Sequence, residues 1–268
     1  MSDAAATRLL AARDHATQVA PLSDADPGLT MAQGYAIAAA IHARRGARGE
    51  RSVGRKIGFT NRSIWPIYNV DAPLWGWVYD STLHHLPADG RPVPLPALPE
   101  PRLEPEIAFR LCRAPVAGMD DAELAGCIDA VAHGFELVFS PYPGWKFRAA
   151  DCAAAFGLHG ALYLGPWQEP GALLADGGAA LSALAITLDG PDRSLRGRGA
   201  DVLGGPLQAL RFLIGDLARS PGAPPLGTSE IVTTGTLTDA VPVGPGQTWS
   251  SRFDSAVLPG ATIAFAAP

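Results

Sequence analysis

A chain of 268 residues, 47% of them hydrophobic, holds enough core material for one large domain and is too apolar to be disordered. A net charge of −5 with no Lys/Arg-rich stripe excludes nucleic acid as the main partner, and no apolar run reaches membrane-spanning length. Three cysteines, Cys112, Cys127 and Cys152, form neither an even disulfide framework nor a zinc spacing, which fits a reduced, cytosolic (cytoplasmic) protein.

The first fifty residues read as helical. MSDAAATRLLAARDHA has amphipathic spacing with acid near its start, not the basic-then-apolar order of a signal peptide, and predicts a helix over 3–19. PLSDADPG is rich in turn residues, and Thr30 stands where an N-cap would begin a second helix over 30–45. From about residue 51 short β-type runs follow: SVGRKIGFT, LWGWVYDST, PRLEPEIAFRL, HGFELVFS, HGALYLG, ALAITLD, EIVTTGTLT and TIAFAA. Most are bounded by Gly, Pro, Asp or Asn. Two helices interrupt them. DDAELAGCIDAVAHG has a D-x-x-E start and Gly134 as its stop, and GGPLQALRFLIGDLARS places Pro206 in its first turn. No repeat, low-complexity tract or linker divides the chain. The expectation is a single domain, 1-268, with a helical N-terminal layer over 1-50 and a β-rich catalytic core over 51-268.

Chemistry concentrates in PRLEPEIAFRL. Read as a strand, Leu103, Pro105, Ile107, Phe109 and Leu111 share one face, while Glu104 and Glu106 share the other, roughly 7 Å apart at Cα. A helix would separate them, and Pro105 would break it. In HGFELVFS, Glu136 likewise sits opposite an apolar face. Three converging glutamates would make an all-oxygen site suited to Mg²⁺ or Mn²⁺. The same stretch also allows a surface ladder, in which Arg102 and Arg110 pair with Glu104 and Glu106.

Only Lys56 and Lys146 are lysines among the 21 basic residues. Lys56 shares its strand face with Gly54, Gly58 and Thr60. Flanking glycines leave room for a ligand, and in a dry pocket this amine could move protons; a solvated strand lysine is the other reading. Asp80 ends an aromatic run and could cap a turn. His84 and His85 precede a Pro/Gly loop, His133 would end a helix, and His159 lies between glycines before a strand. GRGADVLGGP lacks G-x-G-x-x-G spacing, so dinucleotide binding is excluded, and there is no P-loop, nucleophile elbow or zinc signature.

In this order GRKIGFTNRS, GWVYDS, PRLEPEIAF and FELVFS resemble the 2-keto-4-pentenoate hydratase family of the fumarylacetoacetate hydrolase superfamily. ADVLGGPLQALRFL, EIVTTGTLTDAVPVGPGQTW and the N-terminal LTMAQGYAI extend the resemblance over nearly the whole chain. It implies an α+β fold with a β-rich mixed-sheet core of the fumarylacetoacetate hydrolase C-terminal-like type. It also implies Mg²⁺ or Mn²⁺ on Glu104, Glu106 and Glu136, proton shuttling by Lys56 and Asp80, and a homo-oligomer. Ser140, His159 and Thr236 are the candidate substrate contacts. The implied reaction is hydration of a small-molecule 2-hydroxy-2,4-dienoate to a 4-hydroxy-2-oxo acid during breakdown of ring-fission products. A 2-oxo-3-hexenedioate (4-oxalocrotonate) decarboxylase using the same site, and a non-catalytic partner subunit, are the competing readings. Three positions depart from the family pattern: Pro141 where an arginine is usual, Cys152 where an asparagine is common, and Gly205 where a polar residue is common.

Overall fold

The computed structural model describes residues 2–68, 70–220, 222–256 and 258–268. Its strands, in chain order, are β1 (Ser52–Gly58), β2 (Leu74–Tyr79), β3 (Leu83–His85), β4 (Arg102–Leu111), β5 (Ile128–Val138), β6 (His159–Leu164), β7 (Ala185–Asp189), β8 (Ser194–Arg198), β9 (Ile231–Thr236), β10 (Val241–Pro242), β11 (Thr248–Phe253) and β12 (Ala261–Ala264). The larger sheet runs β2-β1-β9-β4-β5-β6-β3, with β10 on β4, and a second sheet runs β12-β11-β7-β8. Both parallel and antiparallel pairs occur in the larger sheet, which together with its helices makes an α+β fold. No helix among the described residues is long and apolar enough to cross a membrane.

The alternation in β4 decides what the fold can do. Leu103 packs with Phe135, Trp249 and Ile263 between the two sheets, while Ile107, Phe109 and Leu111 pack under the helix Pro206–Arg219. Each of these side chains is fully buried, a gain of about 1.5–3 kcal/mol apiece relative to exposure. The odd face of β4 is therefore core, which leaves the even face, with Glu104 and Glu106, to point the other way.

The N-terminal helices Ser2–Asp14 and Met31–Ala47 lay Leu9, Leu10, Ile37 and Ile41 against Phe139, Tyr142 and Phe156. Thr30 caps the second of them in a reciprocal box with Gln33, as its position suggests. The first ends at Asp14 instead of 19, with Ala16 at φ 51° turning the chain. Buried Asp151 fastens this layer by accepting from Ser23 N (2.9 Å), Ser23 Oγ (2.6 Å) and Arg148 N (2.9 Å).

One expected helix is largely a strand. The Asp120–Glu123 capping box forms, but the helix it opens, Asp121–Ala125, lasts little more than a turn, and Ile128 begins β5. Ile128–Val138 is buried on both faces apart from Asp129, so its first half lacks the alternation that marks a half-exposed strand. Pairing along the length of β4, from Arg102↔Val138 to Leu111↔Ile128, overrides its alanine-rich helical propensity. His133 accordingly sits inside β5 and not at a helix end. Its Nδ1 meets the Glu106 carbonyl at 2.9 Å and its Nε2 meets Ser251 Oγ at 2.6 Å. A carbonyl only accepts, so Nδ1 carries the proton and Ser251 donates to Nε2, tying the backbone of Glu106 to the second sheet.

Candidate active site

The β4–β5 register sets Glu104 directly opposite Glu136 and Glu106 opposite Gly134. Directly opposed residues share a face, so all three carboxylates converge, with one oxygen from each within 4.8 Å of the others. Glu106 and Glu136 are 1% and 0% exposed; Glu104 is half-buried and faces a cavity. The arginine ladder does not form. Arg110 pairs with Asp129 at 2.9 Å, and Arg102 donates to the Tyr68 hydroxyl at 2.8 Å with its guanidinium 4.1 Å over Trp145.

Lys56 reaches the same place from β1, two strands away from β4 across β9. It is 3% exposed, so the solvated reading does not hold. Its Nζ donates to Gly157 O at 3.2 Å and lies 3.1 Å from Glu136 Oε2. A turn of three consecutive left-handed residues, Phe156, Gly157 and Leu158 (φ 61°, 59° and 63°), presents that carbonyl. Gly76, in register with Lys56, lets the turn come close; a Cβ there would stand 2.3 Å from Phe156 O. Such backbone costs on the order of 1–3 kcal/mol per non-glycine residue and is held here by the surrounding structure.

A second glycine serves Glu106. Gly235 adopts φ 104° and donates its N–H to Glu106 Oε2 at 2.9 Å; a Cβ there would overlap Thr60 Oγ1 at 1.9 Å. Two carboxylate oxygens remain without a hydrogen bond: Glu106 Oε1, and Glu136 Oε2, which Lys56 approaches without hydrogen-bond alignment. Orphaned anionic oxygens inside a protein are costly. A hard divalent cation takes oxygen ligands of this kind, so the donor set fits Mg²⁺ or Mn²⁺.

The electrostatics agree. Burial pushes the Glu104 carboxyl up to about 8 and Glu106 well above the ordinary range, with the neighbouring carboxylates adding to both; burial also raises Glu136. Burial alone would lower Lys56, but Glu136, Glu104 and Glu106 outweigh it and hold the ammonium above its usual range. Acids whose folded values are raised take up protons on folding, so their effect on stability worsens as pH rises above the ordinary carboxylate range. Lys56 contributes fully below its ordinary value of 10.5 and does not change in this interval. Buried His133 and His159, both lowered, act in the opposite sense only below about pH 6.5. Between about pH 7 and 8.5, urea midpoints in chelator are therefore expected to fall, and the gain from added Mg²⁺ to grow. A Mg²⁺ gain independent of pH would count against the carboxylate cluster as its source.

The cavity beside Lys56 and Glu104 measures about 210 Å³. Thr236 lines it, with its hydroxyl donating to Thr238 O at 2.8 Å. Phe59, Ile64, Ile67, Tyr68 and Trp145 give it apolar walls, and Arg102 and Asp239 bring charge. Ile67 is 73% exposed, an apolar side chain at the edge of this cavity. Arg102, Tyr68 and Trp145 are the residues that sequence spacing missed, because their convergence depends on three separate loops and strands.

Three expected site residues stand elsewhere. Asp80 lies past the end of β2, where Tyr79 pairs with Ser52, and its carboxylate is held by the Arg51 N–H and side chain at 3.0 Å. Lys56 faces Gly76 in that register, so Asp80 is several residues along the strand from the lysine, and the structure does not bring it to the cavity. Ser140 is buried in a turn, donating to Tyr142 O at 2.6 Å and accepting from Tyr142 N. His159 is not a cavity residue either; it touches Glu136 Oε1 through Nδ1 at 2.7 Å.

No family model matches the chain. It is similar to the 2-keto-4-pentenoate hydratase of Burkholderia vietnamiensis, 34% identical over 252 residues that cover 93% of this chain and 92% of the relative. The 2-hydroxyhexa-2,4-dienoate hydratase of Comamonas testosteroni is 31% identical, covering 93% of this chain and 91% of its own. Among solved structures, the 4-oxalocrotonate decarboxylase of Pseudomonas putida complexed with magnesium and adipate superposes with a TM-score of 0.86 at 26% identity, over 98% of this chain and 97% of that one.

Proposed function

The chain belongs to the 2-keto-4-pentenoate hydratase family, and from that membership and the geometry of the site we propose that it is a divalent-metal-dependent hydro-lyase adding water to a 2-hydroxy-2,4-dienoate. The observation that carries the reading is the convergence of Glu104, Glu106 and Glu136, with two carboxylate oxygens outside any hydrogen bond, beside a buried lysine at a cavity wall. These three residues would hold Mg²⁺ or Mn²⁺; when bound, the cation supplies Lewis-acid polarisation of the substrate's carboxylate and C2 oxygen.

The chain's own groups supply the rest. The substrate is the enol of a 2-oxo acid. Loss of the C2 hydroxyl proton and protonation at C5 leave a C3=C4 double bond conjugated with the C2 carbonyl. Water then adds at C4 and a proton at C3, giving a 4-hydroxy-2-oxo acid with atoms in balance. Lys56, held charged by the surrounding carboxylates, is the group assigned to proton delivery. Asp80, tied to Arg51, is given no part. Phe59, Ile64 and Tyr68 would exclude water from the dienoate tail.

A decarboxylase reading has one observation in its favour. Among the described residues Arg102 forms no ion pair with a carboxylate, and it lines the cavity where a second substrate carboxylate could lie. Freshly generated 2-hydroxypenta-2,4-dienoate, followed by its ultraviolet band, tests the choice. The band is expected to decay rapidly with Mg²⁺ and not with excess chelator. No decay in either condition, with CO₂ released from 2-oxo-3-hexenedioate, would replace hydration by decarboxylation.

A further inference from the structure

His159 is enclosed, at 1% exposure, and both of its ring nitrogens are engaged. Nδ1 lies 2.7 Å from Glu136 Oε1, and Nε2 lies 2.9 Å from Thr82 Oγ1. One arrangement of the neutral ring satisfies both contacts. An ionised carboxylate only accepts, so Nδ1 carries the proton; Nε2 must then accept, and the Thr82 hydroxyl must donate to it. This turns the Thr82 proton away from Tyr79 O, 3.1 Å away, while its oxygen still accepts from the Tyr79 N–H at 3.2 Å.

We propose that Thr82 and His159 are positioning residues that hold Glu136 in a one-oxygen presentation, tying Oε1 to the imidazole and leaving Oε2 for a divalent cation shared with Glu104 and Glu106. The inference rests on reading the three glutamates as cation ligands. A free carboxylate can rotate or chelate through both oxygens; a charge-assisted hydrogen bond to one of them removes both freedoms. Oε2 is the oxygen that no hydrogen bond claims, and the rigid turn carrying Gly157 O keeps Lys56 Nζ 3.1 Å from it. Thr82 acts at second hand: its hydroxyl meets His159 and the Tyr79 backbone, and it selects which ring nitrogen holds the proton. Outer partners of metal ligands of this kind change affinity by about 10–100-fold when removed.

The test is a Mn²⁺ titration, read by the resonance of free Mn²⁺, on the full-length wild type and on Thr82→Val, Thr82→Ser and His159→Leu. Melting in chelator reports folding separately. Thr82→Val is expected to raise the Mn²⁺ dissociation constant about 10-fold, Thr82→Ser to return it to within about 2-fold of wild type, and His159→Leu to raise it by up to about 100-fold. If the leucine variant does not fold, the threonine pair decides. A merely structural role would lower melting midpoints without moving the dissociation constant of the folded protein. Equal affinity in wild type and Thr82→Val would overturn this proposal alone. A wild type that takes up no Mn²⁺ would overturn the carboxylate reading, and this proposal with it.

Discussion

Glu106→Gln is expected to abolish cation-dependent turnover while making the cation-free protein more stable at alkaline pH. The opposite signs come from one atom. Glu106 Oε1 is buried without a hydrogen bond beside Glu136, and burial reinforced by that neighbour pushes its carboxyl well above the ordinary range. An amide is nearly the same shape. Its carbonyl can still accept the Gly235 N–H that Oε2 takes at 2.9 Å, and its NH₂ can donate towards Glu136. With one like charge removed, unfolding in chelator at about pH 8.5 should cost at least about 1 kcal/mol more than in wild type. The same change removes one of three anionic ligands. Polarisation by a bound cation is worth several kcal/mol, so kcat/KM should fall by about 10³-fold or more. Decay of the dienol band and urea unfolding measure the two effects on one preparation. A glutamine variant that keeps wild-type Mg²⁺ dependence, or that unfolds more easily in chelator, would remove Glu106 from the cation site. The gain in one property with loss of the other is what a site that stores like charge for function should show.

Strand alternation made the carboxylates legible. In PRLEPEIAFRL the apolar face is continuous, and the structure buries Leu103, Ile107, Phe109 and Leu111 on it, so the two glutamates had only one direction left. Glu136 and Lys56 were singled out by the same argument, but the left-handed turn at Gly157 approaches Gly76 on the neighbouring strand and not the glycines beside the lysine. What failed were Asp80, the second half of one helix and His133, each decided by strand pairing that no local pattern shows. Asp80 follows three aromatics and looks poised, yet the antiparallel pairing of β1 with β2 sets Gly76, not Asp80, against Lys56. The helix expected over 120–134 had a true cap and ended within little more than a turn, because its remainder pairs with β4. His133 was misplaced with it. His159 was expected to touch substrate, and the structure sets it against the Glu136 carboxylate and not at the cavity. Nothing local in DST marks Thr82; its contact with His159 arises only when β6 brings the imidazole alongside.

Two departures from the family pattern stand in different places: Pro141 follows β5, and Cys152 packs against Val138 and Leu158, which line the cavity. Pro141 O accepts the Val19 N–H, and Cys152 is buried next to Asp151, which fastens the N-terminal layer. Pro141 therefore serves the helix-to-core contact, while Cys152 sits between that layer and the cavity wall. Arg102, Tyr68 and Trp145 line the cavity together, and on the proposed function they would meet the substrate tail, neutral or acidic.

Lys56→Met separates proton movement from cation holding. Methionine has nearly the length of lysine without its charge, so the slot between Gly157 O and Glu136 stays filled. Loss of a positioned acid–base group typically costs about 10²–10⁴-fold, and kcat is expected to fall by that factor. Mn²⁺ affinity should be equal to wild type or higher, since removing the ammonium 3.1 Å from Glu136 Oε2 relieves its repulsion of a second cation. Lys56→Arg should not restore turnover: a guanidinium does not release its proton at any working pH, and its planar fork does not fit a slot built for one ammonium. Low kcat with intact Mn²⁺ binding is the signature of a proton carrier. Low kcat with lost Mn²⁺ would make Lys56 a brace for Glu136, and the proton would then have to come from water or from Asp239, which also lines the cavity. Wild-type turnover in Lys56→Met would leave the lysine no chemical part at all, which its burial among three carboxylates argues against.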